Sequence, residues 1–127
     1  MVAAALYDER GRILIAERPA GKHMAGHWEF PGGKVGAGES EADALARELH
    51  EELGVRVRAA RAFMRLSHAY ADRKVELSLW IIERYLGTPQ PRDRQRLKWV
   101  APEGLAGEDI LEADRPFTEA LKRLPPP

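Results

Sequence analysis

The sequence contains no cysteine. A disulfide scaffold, a thiolate metal site and a cysteine nucleophile are therefore excluded, and the composition suits a reducing compartment. A charge surplus is missing too: Lys plus Arg number 20 and Asp plus Glu number 20 in 127 residues. Without basic excess, nothing points to a nucleic-acid surface or a polybasic membrane patch. No apolar stretch approaches the roughly 20 residues of a membrane span. The opening run, Met1-Val-Ala-Ala-Ala-Leu-Tyr7, has no basic segment before it and no cleavage-type spacer after it, so it reads as a strand and not a signal peptide. A cytoplasmic protein is expected, with neither nucleic acid nor membrane among its partners.

What is present is a core. Hydrophobic residues make up 44% of a chain of ordinary domain length, so a single domain over 1–127 is expected. Val2–Leu6 and Ile13–Ala16 are apolar runs about the turn Asp8-Glu-Arg-Gly-Arg12, which predicts a hairpin. Residues 18–26 hold Pro19, Gly21 and Gly26 and form a loop; Trp28-Glu-Phe30 and then Lys34-Val35 are short extended pieces. A helix is expected over Glu41–Leu53. Ser40 is its N-cap, Ala42, Leu45, Ala46, Leu49 and Leu53 form its apolar face, and Gly54 is its left-handed stop. Long strands at 55–71 and 74–86 meet at Asp72-Arg73, and the alternation Val75, Leu77, Leu79, Ile81 marks one buried face. A loop over 87–96, a short strand Leu97–Val100 and a helix from Asp114 to Leu124 with Pro116 in its first turn complete an α+β order.

Chemistry concentrates on the first helix. Glu48, Glu51 and Glu52 stand at i, i+3 and i+4 and share one stripe beside the apolar face. Like charges at this spacing cost a few tenths of a kcal/mol even in solvent. A divalent cation removes that cost, and oxygen-only ligands favour a hard ion, Mg²⁺ or Mn²⁺. Taken alone, the stripe equally suits a solvated helix face, because Glu is a good helix former. The preceding segment changes the balance. Gly33 and Glu39 stand six apart, and Arg47-Glu48-Leu49-His50-Glu51-Glu52-Leu53-Gly54-Val55 follows. Together they read G-x5-E-x7-R-E-U-x-E-E-x-G-U, with U apolar. Average composition yields such a match on the order of once per billion start positions.

That pattern is the Nudix box, and the chain resembles the Nudix hydrolases. The likeness continues outside the box, where His23-Met-Ala-Gly-His-Trp-Glu-Phe-Pro-Gly-Gly-Lys34, Asp72-Arg73, Trp80 to Gly87 and Ala113-Asp-Arg-Pro116 are similar to parts of MutT-type members. The resemblance implies a Nudix fold, an α/β/α sandwich with a mixed sheet. It implies Mg²⁺-dependent hydrolysis of a nucleoside triphosphate, 8-oxo-dGTP in this branch, to the monophosphate and pyrophosphate. Other substrates of the family are the alternative: other NTPs or dNTPs, ADP-ribose or a nucleotide sugar. A Nudix-fold binding module without catalysis usually has eroded glutamates, and none is eroded here. The partner implied is a small-molecule nucleotide, and the chain is expected to be a monomer or homodimer.

Residue roles follow from the same resemblance. Glu48 and Glu52 would bind the metal, with Glu51 as a further ligand or helper and the Gly33 carbonyl completing the set. Arg47 would orient the glutamates and Glu39 would pair with Arg47. Asp93 occupies the place of the family's loop glutamate, so either it or a helix glutamate would act as general base. Arg18, His23, Phe30 and Arg73 would lie along the nucleotide, with Phe30 near the base. Phe30 also suits a core position, His23 a loop-ordering one, and the arginines the surface. The MutT pattern has Asn where this chain has Asp114. An amide both donates to O6 and accepts from N7–H of 8-oxoguanine, whereas an ionised carboxylate accepts from N7–H and repels O6. Asp114 equally suits a helix cap ahead of Pro116.

Overall fold

The computed structural model describes residues 1–22 and 24–127. Strand β1 (Val2–Leu6) is apolar throughout and buried at every position, so it requires cover on both faces and neighbours on both edges. It lies between β4 (Gly32–Gly33), antiparallel to it, and β6 (Lys74–Leu86), parallel to it. Strand β5 (Arg56–Ala69) pairs antiparallel with β6 and completes a mixed sheet in the order β4-β1-β6-β5. A second, antiparallel sheet runs β3 (Trp28–Glu29), β2 (Ile13–Glu17), β7 (Leu97–Val100).

The hairpin expected from the first two strands does not form. Tyr7 and Ile13 make one bridge, after which β1 and β2 enter different sheets. The reason is burial. A two-stranded ribbon would leave one apolar face of each strand in water, while central positions in two sheets cover both. The extended piece expected at Lys34–Val35 is also displaced, to Gly32–Gly33. A Cβ on Gly32 would stand 2.0 Å from the Val2 carbonyl oxygen, so this approach of β4 to β1 requires glycine.

Helix α1 (Glu41–Leu53) covers one face of the mixed sheet and α2 (Arg115–Lys122) the other. Val2, Ala4 and Leu6 of β1 face the layer of Leu45, Leu49 and Leu53; Ala3, Ala5 and Tyr7 face the layer of Phe117 and Leu121. The expected α/β/α sandwich is thus observed, with the strands divided between two sheets. Short 3-10 turns over Pro102–Gly107 and Glu112–Asp114, unmarked by any hydrophobic period, lead into α2. Among the described residues no helix is long and apolar enough to cross a membrane.

The rotation of α1 about its axis decides where the glutamates point. Ser40 Oγ accepts from the Asp43 N–H at 3.1 Å, and Gly54 closes the helix at φ 75°. The buried face is Ala44, Leu45, Leu49 and Leu53; Ala42, expected on it, is exposed. Each leucine taken fully from water contributes roughly 1.5–3 kcal/mol. Glu41 adds a polar pin. Its carboxylate accepts from Trp80 Nε1 at 3.1 Å, Ser78 Oγ at 3.0 Å and Arg65 Nη2 at 2.8 Å, tying the first turn to β6 and β5. With both ends and one face fixed, Glu48 and Glu52 are aimed towards β4.

Candidate active site

Glu48 and Glu52 lie one turn apart on α1, close enough that the Glu48 carboxylate opposes ionisation of Glu52. Glu48 packs over the backbone of Gly33: a Cβ there would stand 2.4 Å from the Glu48 carboxyl carbon, so the glycine creates the space the carboxylate fills. Glu52 Oε2 is enclosed and has no hydrogen-bond partner. Burial raises the Glu52 carboxyl far above the ordinary range, and the neighbouring charges of Glu48, Glu29 and Asp93 push in the same direction.

Arg47 holds this pair in place. Its Nε and Nη2 donate to the two oxygens of Glu39, each at 2.8 Å, in a bidentate fork. Its Nη1 donates to Glu48 Oε1 at 3.0 Å and Glu51 Oε2 at 3.4 Å, and Nη2 also reaches the Lys34 carbonyl at 3.1 Å. Arg47 and the Gly36 N–H hold Glu39 down at about 2, so its charge persists throughout the neutral range. One planar cation therefore joins the loop after β4 to the glutamate stripe.

Two cavities meet beside the stripe. One, of about 380 Å³, is walled by Glu48, Glu51, Glu52, Asp93 and Gln95. The other, of about 720 Å³, is walled by Tyr70, Arg73, Leu111 and Asp114. Arg18, Lys22, Glu29 and Lys34 belong to both walls, so the two form one cleft. The smaller cavity is polar and carries cations beside the carboxylates, as a polyphosphate requires; the larger has the size and the apolar share suited to a nucleoside.

The predicted site residues are distributed as follows. Glu48, Glu52, Glu51 and Asp93 come together at the smaller cavity, although Glu51 is 57% exposed and turned to Arg47. Asp93 is exposed on the rim, 3.9 Å from Lys22. Arg18 sits between the cavities and pairs with Glu29 at 3.0 Å. Arg73 lies 5.6 Å over the Tyr70 ring on the wall of the larger cavity. His23 lies outside the described residues. Phe30 is not brought to the cleft as expected: its ring is in the core, edge-on to Phe117 at 6.3 Å. Alternation explains this. Trp28 and Phe30 enter the interior together, so Glu29 between them faces the cleft. Glu29 escaped notice in the sequence, where its one signal is an acid between two aromatics. Desolvation raises its carboxyl above the usual value, with Arg18 opposing.

Asp114 lines the larger cavity and does not cap α2 through its side chain. It occupies the N-cap position of α2 with no side-chain capping bond. It is 5% exposed, and its Oδ2 accepts from the Phe30 N–H at 3.2 Å. Burial pushes its carboxyl up to about 7; the Phe30 N–H opposes this, nearby Glu29 adds to it, and Arg18 opposes it.

The donor chemistry fits a hard divalent cation. An enclosed carboxylate oxygen without a partner, next to a second carboxylate, is a costly arrangement that such an ion relieves. Among the described residues no three acidic or histidine side chains converge to hold a metal ion. The side-chain ligands that fit are Glu48 and Glu52, and backbone or substrate oxygens would complete the set.

A fold and cleft of this kind define a class, and the comparisons agree. The NUDIX domain family model matches residues 2–120, and the chain belongs to that family of hydrolases. It is 38% identical over 117 residues to the 8-oxo-dGTP diphosphatase of Escherichia coli, covering 92% of this chain and 91% of that one. It is also 38% identical over 123 residues to the CTP pyrophosphohydrolase of the same organism, covering 97% and 91%. A solved MutT structure, from work on Aliivibrio salmonicida and Vibrio cholerae, superposes with a TM-score of 0.83 at 34% identity, covering 95% of this chain and 94% of that one. Nudix hydrolases generally use divalent metal ions.

Two predictions follow from this geometry. Arg47→Lys keeps the charge but not the fork. It should lower kcat by about 10-fold or more while changing stability by no more than about 1 kcal/mol, since the ion pairs are partly exposed. Wild-type kcat in Arg47→Lys would remove Arg47 from the orienting role. Asp114 titrates near neutrality. The folded protein holds that proton to higher pH than the unfolded chain, so its stabilising contribution is complete below about pH 4 and lost as pH rises through about 7. Asp114→Asn never takes up the buried charge. Its stability gain over wild type should therefore be larger at pH 8 than at pH 5, by on the order of 2 kcal/mol. A pH-independent difference in melting temperature would contradict this account.

Proposed function

We propose that this chain is a MutT-type nucleoside triphosphate pyrophosphohydrolase that uses Mg²⁺ and acts on 8-oxo-dGTP or a related oxidised nucleotide in the cytoplasm. The observation that carries the reading is the half-buried Glu48–Glu52 pair, with its enclosed unpartnered oxygen, where a polar cavity joins a nucleoside-sized one. When bound, the cation would neutralise phosphate charge and make water more acidic. Lys22 and Lys34 would stabilise phosphate oxygens, and Arg47 would keep the glutamates in register. A bond forms between water oxygen and the β-phosphorus. The bond from that phosphorus to the α,β-bridging oxygen breaks, and the electron pair leaves with the nucleoside monophosphate. We assign the water proton to Asp93, the cleft acid carried outside α1 and free of a short ion pair.

Asp114 bears on the base. As a neutral acid it donates to O6 and accepts from N7–H, the same pattern an amide offers to 8-oxoguanine. As a carboxylate it only accepts, which suits an exocyclic amino group such as N4 of cytosine. The equal identity to a CTP pyrophosphohydrolase gives this second reading, a cytidine nucleotide substrate, its own support.

Glu52→Gln preserves shape and removes a charge from the cation site. It should fold normally, lose at least about 10²-fold in kcat for pyrophosphate release, and lose any rise in melting temperature produced by Mg²⁺. Near-normal turnover in that variant would sink the metal assignment. Substrate choice is tested by kcat/KM for 8-oxo-dGTP, dGTP and CTP between pH 6 and 8. The ratio of 8-oxo-dGTP to CTP should fall as pH rises, and in Asp114→Asn it should stay level. A level ratio in wild type would take base reading away from Asp114.

A further inference from the structure

The buried polar side chains differ in how completely they are used. Ser78 and Thr118 have protein partners for their hydroxyls. Gln95, 7% exposed, has a partner for one of its two polar atoms: Oε1 accepts from the Asp93 N–H at 2.9 Å. Because an N–H must meet an oxygen, this bond fixes which way the amide faces and directs Nε2 elsewhere. Among the described residues Nε2 has no partner. It is also not sealed in, since the enclosed side-chain polar atoms without a partner are Tyr7 Oη and Glu52 Oε2. The cavity that Gln95 borders is the one holding Glu48, Glu51 and Glu52.

The surrounding loop is built to hold that amide still. Gln90 N–H donates to the Leu53 carbonyl at 2.9 Å and Arg92 N–H to the Glu52 carbonyl at 3.0 Å, docking the loop on the end of α1. Glu17 N–H donates to the Arg96 carbonyl at 2.9 Å, docking the other end on β2. Gln95 is therefore clamped between the metal helix and the strand that leads into Arg18. Two amide hydrogens, not enclosed and without a protein acceptor among the described residues, thus belong to a residue on the wall of a cavity that also holds the Lys34 ammonium, which has no ion-pair partner among the described residues.

We propose that Gln95 is a substrate-binding residue whose Nε2 donates to an oxygen of the pyrophosphate portion of the nucleotide, while its Oε1 fixes Asp93. This rests on the triphosphate reading above and adds to it a neutral donor that holds the pyrophosphate end, the end that water attacks, without adding charge next to the carboxylates. A hydrogen bond to a charged phosphate oxygen is of the strong kind.

The test is calorimetric titration of inorganic pyrophosphate, and separately of dGMP, into wild type, Gln95→Met and Gln95→Glu with Mg²⁺ present. Gln95→Met removes the donor and the acceptor. Gln95→Glu keeps shape and the acceptor for Asp93 but replaces the donor with a charged oxygen. Pyrophosphate affinity should fall about 10-fold in Gln95→Met and further in Gln95→Glu, with dGMP affinity unchanged. If Gln95 only orders the loop, the rank inverts: Gln95→Glu binds pyrophosphate like wild type and Gln95→Met does not. That order, equal weakening of both ligands, wild-type affinity in both variants, or no pyrophosphate binding by wild type would each overturn the proposal. Should Gln95→Met fail to fold, Gln95→Glu alone decides, because wild-type affinity there is incompatible with a donor role. The triphosphate reading fails separately, if wild type releases orthophosphate and not pyrophosphate from nucleoside triphosphates.

Discussion

Glu48 and Glu52 cannot both ionise readily side by side in a half-buried site, and much of the scaffold serves to keep them together. The leucine face of α1 is locked onto β1, and the Glu41 pin stops the helix from rolling. Arg47 compensates part of the negative charge from the outside while its fork fixes the loop that carries Gly33. Without a cation Glu52 keeps its proton, as its raised carboxyl implies, and one of its oxygens is left unpartnered. A small, highly charged ion is what would displace that proton and hold both carboxylates ionised side by side.

The cleft grades from charge to apolarity along its length. Carboxylates and lysines line the end beside α1; Tyr70, Leu111 and the buried Asp114 line the other. The Arg18–Glu29 pair stands at the junction, where Glu29 is felt electrostatically by both Glu52 and Asp114. The two ends of the cleft are thus linked electrostatically through one half-buried acid that lies between two core aromatics. Two buried polar groups border the cleft: an acid whose carboxyl is pushed up to about 7, and an amide held by a single bond.

Relatives of equal identity that act on different bases show why the hydrolytic machinery does not specify the nucleotide. The machinery belongs to α1 and the loop before it. In the proposed reading the base would face the start of α2 and the β5–β6 turn, where a change of one atom, amide nitrogen to carboxyl oxygen at Asp114, reverses the direction of a hydrogen bond.

Local rules determined much from sequence alone. The period of Leu45, Leu49 and Leu53, the Ser40 cap and the Gly54 stop describe α1 to the residue, because a helix is made of contacts three and four positions apart. The spacing of Gly33, Glu39 and Arg47 to Glu52 identified the family, since each member of that set acts on a neighbour within about 20 residues. What required the tertiary structure was every choice between equivalent local options. Two apolar strands about a turn were legible, but their separation into different sheets depended on which arrangement buried both faces. Phe30 was legible as an aromatic beside the box, and only packing against Phe117, 87 positions away, took its ring from the cleft and turned Glu29 into it. Asp114 was legible as a base-contacting residue or a helix cap, and only the fold brought the Phe30 N–H to its carboxyl and, through burial, pushed that carboxyl up to about 7. Gln95 carried no sequence signal at all, because its importance lies in an unsatisfied donor, and which donors go unsatisfied is decided only when distant strands and a helix end close around them.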